Sequence, residues 1–216
     1  GHKFMAGRRG VGTSLPYFIP VPFFVGTMGA VIRTKEPTPN RDALFDLGAA
    51  GPIAGFIVLL PVAILGLRWS YLVPVQAIPP ETVSLPVPPV FSLLSHLIEL
   101  PTTGGVVVFH PVAFASWVGM LVTMLNLMPV GMLDGGHMAR AILGERWHQV
   151  VSFIAAAATF ALGWWYMALF MLFFSFRPHI GPLDDVSPLT RSRKIVAIGL
   201  GVMLFLCTVP GWKLSS

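Results

Sequence analysis

A carboxylate stands where the surrounding chain is apolar: Asp134, in the run Asn126-Leu127-Met128-Pro129-Val130-Gly131-Met132-Leu133-Asp134-Gly135-Gly136-His137. The stretch from Val106 to Leu125 ahead of it holds no Asp, Glu, Lys or Arg and is long enough to cross a bilayer. An ionisable group on the continuation of such a stretch needs a charged partner, a watery cavity or a bound metal ion. A second group with metal-binding chemistry sits at the other end of the sequence, which opens Gly1-His2-Lys3-Phe4-Met5-Ala6-Gly7-Arg8-Arg9. That opening reads as the end of a zinc-binding helix whose first residues precede Gly1.

A catalytic zinc site needs three protein ligands, an open position for water and a nearby carboxylate to handle the proton. The helical pattern H-E-x-x-H supplies two of those ligands on one helix face and places the base beside the water. Only its last two positions can be present here, as Gly1-His2. Neither group is specific alone. A leading Gly-His arises readily by chance, and a membrane carboxylate serves proton relays and ion sites as well as metals. The combination carries the argument.

The elements that must position these groups are written in the composition. Hydrophobic residues make up 55% of the 216 and charged residues 11%, with a mean hydropathy of +0.76, whereas a soluble domain carries about a quarter charged residues. Four apolar stretches approach or exceed the roughly 20 residues of a membrane span. They are Ala49 to Leu67, Val106 to Met128, Val150 to Phe176 and, marginally, Ile195 to Val209. A helix ending near His2 makes a fifth. The expected fold is therefore an all-α polytopic membrane protein, one domain over residues 1–216, built as a bundle of transmembrane helices in a lipid bilayer.

The net charge is +5 and the pI about 9.9, which in a soluble protein would raise nucleic acid as a partner. Here the membrane accounts for the charge, and no nucleic acid is expected. Lys3, Arg8, Arg9, Arg33, Lys35 and Arg41 crowd the first loop, and Arg140 and Arg146 follow the second apolar stretch. The positive-inside tendency puts both in the cytoplasm and leaves residues 68–104, rich in proline, as a loop outside. The loop from Arg177 to Lys194 conflicts, because Arg191, Arg193 and Lys194 fall on what should be the outer side. Either a segment boundary is misplaced or the charge rule fails there. The single cysteine, Cys207, excludes an internal disulfide and a cysteine zinc cluster.

Residues 14–33 mix Pro16, Pro20 and Pro22 with Tyr17, Phe18, Ile19, Phe23 and Phe24, too short and proline-rich for a spanning helix. They read as a re-entrant β-hairpin or loop, tolerated where protein or a cavity satisfies its backbone. A surface-lying hydrophobic loop is the other reading. The small residues Gly48-Ala49-Ala50-Gly51-Pro52-Ile53-Ala54-Gly55 open the first complete span and suit close helix packing. No internal repeat is present.

Asn126, Pro129 and Asp134 in N-x-x-P-x-x-x-L-D-G, with a Gly-His pair upstream, resemble the site-2 protease family of intramembrane zinc metalloproteases. The resemblance runs over nearly the whole chain. Gly26-Thr27-Met28-Gly29-Ala30-Val31-Ile32, Pro39-Asn40-Arg41 and Ala50-Gly51-Pro52-Ile53-Ala54-Gly55 are most similar to its archaeal, cyanobacterial and plastid branch. It implies one zinc ion, with His2 matching the second histidine ligand and Asp134 the third ligand. The first histidine and the catalytic glutamate would fall four and three positions before His2, and this sequence lacks both, so the fragment itself is expected to bind zinc weakly and hydrolyse nothing. The implied reaction is peptide hydrolysis in a transmembrane protein substrate, with the active site toward the cytoplasmic side. A helix resists attack on its own hydrogen-bonded carbonyls, so helix-breaking residues in the substrate are expected to favour cleavage.

Asn126 is the best polar candidate for holding the substrate backbone or a developing oxyanion; capping or bridging a helix broken at Pro129 is its structural alternative. Pro129 and Gly131 interrupt the helix so that Asp134 can turn, and Gly135 and Gly136 permit close backbone approach. His137, three residues past Asp134, is placed to support that ligand from behind. His110 reads as an interfacial residue, and His96, His148 and His179 as loop or interface positions. Trp117, Trp147, Trp164, Trp165 and Trp212 fit anchoring or packing. Two other classes stay open: a non-catalytic relative acting as a membrane binding or chaperone-like protein, and an ion or proton transporter using Asp134. A transporter would call for repeated halves and further intramembrane charge pairs, neither of which the sequence has.

Overall fold

Asn40 starts helix α2 (Arg41–Arg68) by accepting the Ala43 N–H on its side-chain oxygen at 2.9 Å. Asp42 in its first turn and Arg68 in its last suit the helix dipole. Its 28 residues give a length of about 42 Å. Among the described residues it is the one helix long and apolar enough to cross a bilayer; α4 (Pro111–Leu127) is apolar but has only 17 residues. The computed structural model describes residues 1–10, 12, 17–20, 27–31, 37–79, 84–100, 104–161, 163, 165–176 and 181–208. Within them the remaining helices are α1 (His2–Arg8), α3 (Pro89–Leu97), α5 (Asp134–Ala161), α6 (Trp165–Ser175) and α7 (Arg191–Cys207).

Helix α2 is the hub, packing against α1, α3, α4, α5 and α7. Lipid tails are as apolar as leucine, so close backbone approach matters more than the hydrophobic effect in joining helices within a bilayer. Gly66 shows such an approach, since a Cβ there would run into the backbone of Ala113 in α4. Phe45, Leu67, Phe91 and Met120 are buried where α2, α3 and α4 meet, and α7 closes the cluster with the Cys207 thiol 3.7 Å from the Met120 sulfur.

The described residues are mostly helical with two small antiparallel strand pairs, the second of which departs from the expected helices and re-entrant hairpin or loop. In the first, β1 (Tyr17–Pro20) pairs with β2 (Thr27–Val31), Tyr17 opposite Val31 and Phe18 opposite Ala30. This is the hairpin form expected within residues 14–33, although residues 14–16, 21–26 and 32–33 lie outside the described set. The second joins β3 (Tyr71–Val73) to β4 (Val106–Val108). The sequence reading puts Val106–Val108 at the head of a helical span. Instead three β-branched residues extend and pair, and the helix waits for Pro111, which suits a first helical position. Residues 68–104 also hold α3, which their prolines obscure: Pro89 opens it.

The third apolar stretch is corrected most. Val150 to Phe176 does not form one helix. α5 starts far earlier, at Asp134, and the chain turns at Gly163, where the N–H bonds to the Phe160 carbonyl at 3.0 Å. α6 then folds back, bringing the rings of Phe153 and Phe176 to 5.6 Å. Within α5 the backbone kinks at Gly144, with φ 78° and ψ 177°, a combination essentially confined to glycine. Because α5 and α6 form a hairpin, the loop after α6 returns to the start of α2. Leu183 and Asp184 donate backbone N–H groups to the carbonyls of Thr38 and Pro39 at 2.9 and 3.0 Å. Arg193, and with it Arg191 and Lys194, therefore lies at the same end of α2 as Arg41.

Candidate metal centre

The loop between α4 and α5 is where an apolar helix is broken to present a carboxylate. α4 ends at Leu127, Met128 is extended, and the Val130 and Leu133 N–H groups bond to the Met128 and Val130 carbonyls at 2.7 and 3.1 Å. Gly131 takes φ 50°, the left-handed turn conformation. Ser152, fully buried on α5, locks the loop by donating to the Pro129 carbonyl at 3.1 Å and accepting the Gly131 N–H at 3.4 Å. Gly135 and Gly136 lie against the carbonyls of Leu127, Met128, Val130 and Gly131, where any Cβ would collide. The outcome is Asp134 in the first turn of α5, facing α2 and α1.

Helix α1 brings His2 to the same point. Its Nδ1 lies 2.9 Å from the carbonyl of Leu47 on α2. A carbonyl only accepts, so a ring proton sits on Nδ1 and Nε2 is the nitrogen turned toward Asp134, the orientation of a histidine ligand held by the backbone. Nε2 is 3.4 Å from the Asp134 Oδ2. A lone pair facing a carboxylate oxygen at that distance requires positive charge between or on them, a metal ion or a further proton. For tetrahedral zinc, with bonds of about 2.0 to 2.2 Å, two ligand atoms stand about 3.3 to 3.6 Å apart. The pair fits a metal. The side chains are partly buried, 29% and 18% exposed.

The floor of the site is α2, with side chains removed where the other helices cross. At Gly51 a Cβ would overlap the His2 imidazole, and at Gly48 it would sit 2.6 Å from the Asp134 carbonyl oxygen and 3.1 Å from the His137 Cβ. The small-residue run thus makes room for the site as well as for helix packing. Among the described residues no three His, Cys, Asp or Glu side chains gather around one point, so His137, packed on α2, does not join His2 and Asp134 as a third ligand. Asn126 sits half-buried in the last turn of α4. No described residue hydrogen-bonds its side chain, and the bridge across the Pro129 break comes from Ser152 instead.

The other histidines separate. His110 caps α4, its Nδ1 accepting the Val112 N–H at 3.2 Å, and meets Trp69 edge-on at 5.3 Å. His96 is exposed on α3. His148 is buried within α5, which corrects its reading as a loop or interface residue: the early start of α5 moves it inside. His179 falls outside the described residues, as do Trp164 and Trp212. Sequence reasoning missed the Leu47 carbonyl, which has no side-chain signature, and Ser152, one hydroxyl in a long apolar helix.

A sequence model described as peptidase family M50 matches residues 1–173. The probable zinc metalloprotease EGY1, chloroplastic, of Oryza sativa subsp. japonica is 29% identical over 228 aligned positions, covering 98% of this chain and 38% of that protein. EGY1 of Arabidopsis thaliana is 29% identical, covering 98% of the chain and 40% of its own length. The probable zinc metallopeptidase EGY3, chloroplastic, of Arabidopsis thaliana is 28% identical, covering 96% and 39%. The chain thus spans about two fifths of the length of these curated relatives. No solved structure matches.

Proposed function

The chain belongs to peptidase family M50, and from that premise we propose that it is the membrane-embedded core of a zinc metalloprotease that hydrolyses peptide bonds in transmembrane protein substrates. The observation that carries this reading is the Nε2 to Oδ2 approach of 3.4 Å between His2 and Asp134, with Nδ1 tied to the Leu47 carbonyl. In the proposal these two side chains hold one zinc ion, and a histidine and a glutamate before Gly1 complete the motif. When bound, the metal supplies Lewis acidity and lowers the pKa of water near the scissile carbonyl. The chain's own residues do the rest: Leu47 fixes the imidazole, the Ser152-locked loop fixes the carboxylate, and Asn126 binds substrate backbone.

We further infer a polytopic arrangement in the bilayer, with α2, α4 and α7 as spans, α5 and α6 as a hairpin entering and leaving on one side, and β1–β2 as the re-entrant element. The site opens toward the cytoplasmic side, or its organellar equivalent. The support is that Arg9, Arg41, Arg140 and Arg193 all reach acidic partners at the same end of α2 and in the adjoining 181–193 segment.

The test uses the full-length protein in detergent or proteoliposomes, with zinc measured by elemental analysis and cleavage of a membrane-embedded reporter followed. Asp134→Asn and His2→Ala should each lose stoichiometric zinc and all cleavage. Zinc and cleavage persisting in both variants would overturn the reading, and zinc without cleavage in the wild type would favour the non-catalytic relative.

A further inference from the structure

The segment that follows α6 is tied directly to α2 and α5 and, through Asp46 of α2, indirectly to α1. Its backbone pairs with the approach to α2 through Leu183 and Asp184. Asp185 accepts Arg41 Nε of α2 at 2.9 Å and both terminal nitrogens of Arg140 of α5 at 3.0 and 2.8 Å. Arg140 is itself 2% exposed, and Gly181 lies under its guanidinium, where a Cβ would come within 2.6 Å of Nη2. Further along, the Thr190 N–H bonds to Asp42 at 3.1 Å, and Arg193 donates to Asp42 once and to Asp46 twice, each at 2.8 Å. Asp46 also receives Arg9 from the end of α1.

These ties converge on the site. Asp46 precedes Leu47, whose carbonyl orients His2, and α1, the helix bearing His2, meets Asp46 through Arg9. Arg140 lies on α5 less than two turns after Asp134. A bidentate Arg–carboxylate pair fixes direction as well as distance, so the two anchors restrain rotation and sliding of α1 and α5 on α2. Removing either anchor thins the pairing: among the described residues Asp46 would keep Arg9, and Arg140 would keep Glu145 at 3.6 Å.

We propose that residues 181–193 act as a strap whose Asp185 and Arg193 position the His2 and Asp134 ligands from a distance, so that this segment, beyond the stretch matched by the family model, sets the metal affinity of the site. Asp185 and Arg193 are positioning residues and touch neither metal nor substrate. The proposal rests on the metalloprotease reading above.

The experiment measures zinc dissociation constants by chelator competition in the full-length protein, with thermal melting and separate kcat and KM values for a membrane reporter. Arg193→Gln should weaken zinc binding about tenfold, the low end for residues supporting a ligand, and lower kcat with KM unchanged. Arg193→Lys, which restores the charge but not the fork, should recover part of the loss. Lower melting temperature with wild-type zinc affinity in both variants would overturn the strap and leave a stability role only. If Arg193→Gln does not fold, Arg193→Lys decides by the same criterion. A wild-type protein that binds no zinc would overturn the metalloprotease reading and the strap with it, whereas zinc bound equally by wild type and variants overturns the strap alone.

Discussion

Replacing Gly51 by alanine and, separately, Gly55 by alanine makes one chemical change in two neighbouring turns of α2 with opposite surroundings. Each substitution should gain about 0.8 to 1 kcal/mol of helix propensity. Nothing lies within 4 Å of the Cβ position at Gly55, so Gly55→Ala should keep that gain and leave cleavage within about twofold of wild type, as for changes away from any special contact. At Gly51 the new carbon would stand 2.8 Å from the His2 Cδ2, with Nε2 nearer still. Ordinary contact needs about 3.5 to 4 Å, so the ring must retreat by roughly 1 Å or more. That retreat breaks the 2.9 Å bond to Leu47, worth about 1 kcal/mol, and carries Nε2 away from Asp134. The propensity gain and the lost bond nearly cancel, so melting should hardly move. Function should collapse, because a misplacement of about 1 Å costs on the order of 100-fold in rate. The assay is reporter cleavage and zinc content in the full-length protein, alongside melting in detergent. Gly51→Ala with wild-type zinc and rate would refute the placement of His2 at the metal.

Ser152→Ala removes both contacts that lock the loop before Asp134 and leaves the carbonyl of half-buried Pro129 without its Ser152 donor; melting should report a loss of about 1 to 2 kcal/mol, with cleavage reduced as well. Asp185 is held below the ordinary carboxylate range, first by its hydrogen bonds from Arg140 and then by Arg41, against the opposing effect of burial. With the folded value depressed, its contribution is complete above the unfolded value of about 3.9 and fades as pH falls through the lower folded value. Asp185→Asn should therefore cost about 2 kcal/mol near neutrality, less than the ~3 to 5 for a fully buried pair because water reaches Asp185, and should flatten the acid limb of a melting-versus-pH profile. Gly144→Ala forces a side chain into backbone space that only glycine occupies freely and should cost about 1 to 3 kcal/mol; melting equal to wild type would show that α5 straightens without penalty.

The sequence made the two ends of the site legible and hid what joins them. Asp134 stood out because an ionisable group in apolar sequence demands a partner, and Pro129 and Gly131 announced the break that exposes it. The pairing of β1 with β2 is one of the two readings that the proline-rich run at residues 14–33 left open. Periodicity alone could not divide Val150 to Phe176, since an apolar run reads the same whether it crosses once or turns back, and Gly163 gives only a weak signal. The same uniformity concealed that Val106–Val108 extend as a strand. Asp42, Asp46 and Asp185 carried no sequence signal, and Arg193 stood out only as a misfit to the charge rule, because their meaning lies in partners up to 151 positions away, a relation that no local pattern carries.

The sharing of Asp46 between Arg9 and Arg193 has a bearing on biosynthesis. Chains emerge from the ribosome and fold in order from the amino end, so His2, Leu47 and Asp134 are all in place in sequence well before Arg193 is made. During that interval Asp42 and Asp46 have no partner from α7, and α1 and α5 rest on α2 without the anchors that fix their rotation. The pairing of Asp42 and Asp46 with α7 is therefore completed only after the polypeptide has been synthesised into that last helix.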